Sequence, residues 1–139
     1  GDGSLCVYSM LSGSLLQMLP AHSAKVTGLA LRKQEQQVIS ASADGTVKLW
    51  ELASGSLLGS FAEQVCGINS IALSPDEQYV AVACEDGTLK VWDVEMTQMV
   101  ASFTAEGSLI SCGFGMNGVI VVGEELGRMH FVRLVVGRA

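Results

Sequence analysis

Short apolar runs alternate with turn residues along the whole chain. Residues 15–19, 26–31, 37–42 and 46–52 are such runs, each the length of a strand. Between them lie Ala21-His22-Ser23, residues 32–36, Asp44-Gly45 and Ser54-Gly55. Strands this short, with a turn signal every ~8–12 residues, point to an all-β fold. Asp-Gly between two apolar runs is the strongest short-range hairpin signal, because that turn needs positive φ. Ser74-Pro75-Asp76-Glu77 makes a turn by another route. Proline presets φ, and the aspartate bonds its own backbone. Asn117-Gly118 takes that place further on. The pattern predicts further strands over 68–73, 79–84, 89–94, 99–104, 109–114, 119–123 and 129–135. No segment keeps a helical period long enough to predict a helix.

The runs repeat. Asp2-Gly3, Asp44-Gly45 and Asp86-Gly87 are 42 residues apart, and Leu126-Gly127 follows 40 later without the aspartate. Tyr8, Trp50 and Trp92 keep the 42-residue step, with Val132 in the fourth position. Leu19, Phe61 and Phe103 keep it too, and Ser12-Gly13-Ser14-Leu15-Leu16 returns letter for letter as Ser54-Gly55-Ser56-Leu57-Leu58. The expected units are 2–43, 44–85 and 86–126, with 127–139 a partial final strand. By strand count these are the last two strands of one sheet, two whole sheets, and three strands of another. A fixed period of this size is the signature of a repeat architecture.

Composition narrows the function. An apolar fraction of 49% suits strands buried on both faces. The net charge is −6 and the eight Lys and Arg are scattered. A surface tracking phosphates needs clustered cations, so no nucleic-acid partner is expected, and an anionic membrane is disfavoured for the same reason. No run approaches the ~18 apolar residues of a membrane span, and no signal segment opens the chain. The chain begins with Gly1, inside a repeat, so a piece of a longer protein is the expectation. Cys6, Cys66, Cys84 and Cys112 form no C-x-x-C pair. They read as free thiols filling apolar space in a reducing compartment, with disulfides left open.

No catalytic, metal or cofactor site is expected. His22 and His130 are far apart in the chain. Asp44 and Asp86 recur at equivalent turns, which argues for a structural duty over acid–base work. Gly113-Phe114-Gly115-Met116-Asn117-Gly118 spells a dinucleotide motif but lacks the helix that must follow it. Ser111-Cys112 and Val65-Cys66 have no adjacent base, and no nucleophile elbow exists. Leu57-Leu58 and Met96-Thr97-Gln98-Met99 sit at or near outer strands, as a partner patch or as ordinary packing.

A 42-residue unit of four strands, with Asp-Gly before a strand ending in Trp92-Asp93 or Trp50-Glu51, resembles the WD40 repeat of β-propellers. The resemblance spans essentially the whole chain. It implies four-stranded antiparallel blades, about three of them, in an open arc that does not close by itself. It implies a buried tetrad of His22, Ser40 (or Ser42), Asp44 and Trp50. In the next unit only Asp86 and Trp92 remain, since Gln64 and Val82 replace the histidine and serine, and a looser blade is expected. It further implies a non-enzymatic protein–protein interaction scaffold, cytoplasmic or nuclear, with protein or peptide partners and the remaining blades of a parent propeller. The expected partner-binding rim is Ser23, Lys25, Ala43, Val65, Gly67, Glu85, Ser108 and Glu125. Together with Glu124, the acids among them suit a basic peptide. The closing stretch 127–134 also resembles the last propeller strand of NACHT/WD-repeat signalling ATPases. That resemblance implies a regulatory or sensor segment of a larger ATPase as the alternative; an enzyme with its site in the central channel is a further one.

Overall fold

The alternating runs fold as strands. The structure, a computed structural model, describes residues 3, 5–8, 15–19, 22, 24–61, 67–115 and 118–133. In chain order the strands are β1 (Leu5–Tyr8), β2 (Leu15–Leu19), β3 (Val26–Arg32), β4 (Gln37–Ser42), β5 (Val47–Glu51), β6 (Leu57–Ser60), β7 (Ile68–Leu73), β8 (Tyr79–Cys84), β9 (Thr88–Asp93), β10 (Gln98–Thr104), β11 (Leu109–Phe114), β12 (Val119–Glu124) and β13 (Met129–Arg133).

They form antiparallel sheets with neighbours in sequence order: β1-β2, β3-β4-β5-β6, β7-β8-β9-β10 and β11-β12-β13. The three larger ones are called here the first, second and third sheets. This is the all-β, four-stranded antiparallel arrangement expected, and the arc is open. The sheets run out of phase with the sequence period: unit 44–85 gives β5 and β6 to the first sheet and β7 and β8 to the second.

Register explains how the sheets stack. Ile39 lies opposite Leu49 and Ala41 opposite Val47, on one face of the first sheet. These residues share a buried cluster with Ile68, Val80, Val82, Cys84 and Trp92 of the second sheet. The intervening Ala81 and Ala83 point the other way. They join Leu89, Val91, Leu109, Ile120 and Val122 in a cluster with the third sheet. β8 is therefore apolar at consecutive positions because both its faces are covered. β3 packs on β7 and β7 on β11, so the first strand of each sheet lines a common inner side. There Gly28 lets β7 approach: a Cβ on it would lie 2.9 Å from Ile71 Cγ1.

The turn glycines of the repeats do two jobs. Gly3, Gly45, Gly87 and Gly127 all take φ between 81° and 92°, open to glycine at little cost. Gly3 and Gly87 also touch the loop entering the following sheet. A Cβ there would fall 2.1 Å from the His22 carbonyl or 2.7 Å from that of Ala105. The backbone N–H groups of His22 and Ala105 donate to the Gly3 and Gly87 carbonyls at 2.9 and 2.8 Å.

Candidate functional site

That docked loop positions His22. Its ring is inserted beside β4, where Nε2 lies 2.7 Å from Ser40 Oγ. Trp50, on neighbouring β5, donates its indole N–H to the same oxygen at 2.9 Å. On the other side His22 Nδ1 lies 2.7 Å from Thr46 Oγ1, and Thr46 donates to Asp44 Oδ1 at 2.5 Å. Asp44 Oδ1 also accepts the Thr46 backbone N–H at 2.9 Å. The structure thus brings His22, Ser40, Asp44 and Trp50 into one chain of hydrogen bonds. The aspartate is reached through Thr46 rather than directly, since His22 Nδ1 stands 3.8 Å from Asp44 Oδ1.

Donor counting fixes the protons. Thr46 has one O–H and gives it to the carboxylate, so it must accept from His22 Nδ1–H. Ser40 accepts from the indole, and its own O–H is then free to serve an unprotonated Nε2. Every bond points the same way, from Trp50 through Ser40, His22 and Thr46 to Asp44. Burial holds the His22 pKa below its ordinary value, the Asp44 charge opposing and the Lys48 charge assisting. A neutral, doubly bonded histidine has no free ring nitrogen for catalysis or a metal. The arrangement is internal bracing.

Ser42 has a different duty from Ser40. It donates to the Lys25 carbonyl at 2.9 Å and accepts the Asp44 N–H at 3.1 Å, tying the loop before β3 to the turn.

The second sheet keeps the turn and loses the bracing. Asp86 Oδ1 accepts the Thr88 N–H at 2.9 Å. Val82 stands where Ser40 stands, each opposite a lysine of the next strand, Lys90 or Lys48. Trp92 is only 5% exposed, and its indole nitrogen has no hydrogen-bond partner among the described residues. Its ring meets Phe61 edge-on at 5.8 Å. Gln64 lies outside the described residues.

The third sheet carries a brace that the sequence reading missed. Glu124 matches Ser42 and Cys84, because each carbonyl accepts the N–H of the turn glycine. Its side chain is buried and accepts the Gly107 N–H. Arg128 Nε and His130 Nε2 lie 3.3 and 3.2 Å from Glu124 Oε1, and Arg128 Nη2 reaches Glu106 at 3.1 Å. Desolvation pushes the Glu124 carboxyl up; the Gly107 N–H, His130 and Arg128 together pull it further down, below its ordinary value. His130 also packs on Phe103, ring centres 5.3 Å apart. Glu124 is therefore withdrawn from the acidic rim proposed for it.

The remaining rim residues come in pairs joined by backbone bonds: Ala43 to Lys25, Glu85 to Gly67, and Glu125 to Ser108, at 3.2, 3.0 and 2.9 Å. Lys25, Ala43, Glu85 and Glu125 are exposed and Ser108 is half-buried. Gly67 departs from the expectation. It is buried, donating to Glu85 Oε1 at 3.3 Å, with Ala43 O and the Glu85 carboxylate each 3.1 Å from where a Cβ would stand. It is the spacer that lets two rim loops meet. Ser23 and Val65 lie outside the described residues. At the outer strands Leu57, Leu58, Met96 and Met99 are exposed.

Cys84 is buried and Cys112 half-buried. Burial pushes the Cys112 thiol up to about 11, against weaker opposing hydrogen bonds from Ser70 and the Ala83 backbone, so it is no nucleophile at neutral pH. Among the described residues no three His, Cys, Asp or Glu stand close enough to hold a metal ion, and no helix is long and apolar enough to cross a membrane.

Set against known proteins, residues 13–51 and 55–93 match the family model described as WD domain, G-beta repeat. A solved structure, that of the computationally designed Ika4 protein, superposes with a TM-score of 0.86 at 29% identity. The match covers 96% of this chain and 81% of that one. No curated protein sequence matches.

Proposed function

The chain belongs to the WD40, G-beta repeat family, and from that premise we propose that it is a non-catalytic scaffold whose rim takes a basic peptide. WD40 domains generally bind proteins or peptides. The observation that carries the finer reading is the pair Glu85 and Glu125. They sit at equivalent positions on adjacent sheets, exposed, with backbones pinned to the loops beside them. Loops on a rigid scaffold are where binding residues concentrate, and complementary charge speeds encounter and rejects wrong partners.

The other partners are sheets of the same repeat. Val121, Gly123, Met129 and Phe131 hold the register positions of Ile39, Ala41, Val47 and Leu49, which the second sheet covers. Phe131 is 69% exposed.

The rim is tested with an array of extended peptides bearing paired lysines or arginines, read by fluorescence anisotropy. Glu85→Lys and Glu125→Lys should each weaken every peptide that binds, and raised salt should do the same. Peptides held equally well by both variants would overturn the rim assignment and leave the scaffold reading standing.

A further inference from the structure

We draw no further inference here: the strongest candidate, the polar cleft of about 340 Å3 between the β3–β4 and β7–β8 turns, lined by Glu35, Asp76, Glu77 and Glu95 around Arg32, is an acidic cluster whose guanidinium is already held by Glu77 and Gln37, and no second feature of the structure points to a ligand.

Discussion

In the first sheet β4 sets Ser40 between a buried histidine and a buried tryptophan; in the second sheet β8 sets Val82 at the same register. The strands, the Asp-Gly turns and the tryptophans match, while the filling differs in kind. One sheet meets the polar requirement of its indole and gains a five-residue hydrogen-bond chain. The other leaves an indole N–H with no partner among the described residues, a cost of about 1–3 kcal/mol, and offsets it with apolar burial on both faces, worth about 1.5–3 kcal/mol per large side chain. The position in the arc sets the difference. The second sheet has a sheet on either side to bury against; the face of the first sheet that carries Ser40 and Trp50 is covered by Leu5 of β1 and by the His22 loop.

If packing carries the second sheet, deleting it should give the largest loss. Leu89 is 1% exposed, and Met129, at the same register in the third sheet, is 63% exposed. Leu89→Ala should cost about 2–5 kcal/mol in denaturant unfolding. Met129→Ala should stay within about 0.5 kcal/mol. Equal losses at the two sites would mean that Met129 is covered in solution.

Exchanging the fillings sharpens the contrast. Ser40→Val leaves both the Trp50 N–H and His22 Nε2 without partners, and should cost about 2–4 kcal/mol. The reverse change, Val82→Ser, offers Trp92 an acceptor and removes a methyl group from a packed site. These oppose each other, so its stability should stay within about 1 kcal/mol of the parent. A Ser40→Val variant as stable as the parent would show the bracing to be dispensable.

Much of this was legible in the residues, and the exceptions have physical causes. Asp-Gly and the apolar runs placed the strands because both act locally. His22, Ser40 (or Ser42), Asp44 and Trp50 were named from the resemblance to the WD40 family. Thr46 was not, although Thr88 repeats it two residues after Asp86, because a hydroxyl between a histidine and an aspartate leaves no mark in the pattern. The Glu124–Arg128–His130 brace was missed since none of its members recurs. Ser42 and Cys84, Thr46 and Thr88, Lys48 and Lys90 hold the corresponding places. Glu124 looked like rim because a carboxylate beside a turn is usually solvated. Gly67 was expected on the rim from the resemblance, and only the stacking of sheets shows that Ala43 and Glu85 close over it.

Acid separates the two polar braces by pH. The unfolded chain protonates His22 near pH 6.5, while burial holds the folded value lower. Between those values the unfolded state binds the extra proton, so stability falls as pH drops below about 6.5 and levels off under the folded value. The Glu124 carboxyl is depressed instead. Its contribution is present above the ordinary carboxylate range and is lost as pH falls through the folded value. His22→Gln should flatten the stability profile just below pH 6.5 and leave the more acid limb unchanged, as read by unfolding at stepped pH. An unaltered slope below pH 6.5 would mean that His22 titrates freely.

The smallest effect concerns the link between the first two sheets. Glu77 takes φ of +62°, a conformation glycine adopts more cheaply. What it gains there is reach. Its carbonyl accepts from Arg32 Nε at 3.0 Å, and its carboxylate accepts the Lys33 and Gln34 N–H groups at 3.1 and 3.4 Å. Glu77→Gly relieves about 1 kcal/mol of left-handed strain, but loses those side-chain bonds and frees the unfolded backbone. The net change should stay below about 1 kcal/mol. Glu77→Ala keeps the strain and loses the same bonds, so it should be about 1 kcal/mol less stable than Glu77→Gly. The ordering matters more than either value. If alanine matched glycine, the backbone at 77 would relax once the carboxylate is gone, and the positive φ would be imposed by the cross-sheet bonds. If Glu77→Gly proved less stable than the parent, the carboxylate bridge and the freer unfolded backbone together would outweigh the strain, and the two sheets would be held together by their turns as well as by the apolar cluster between them.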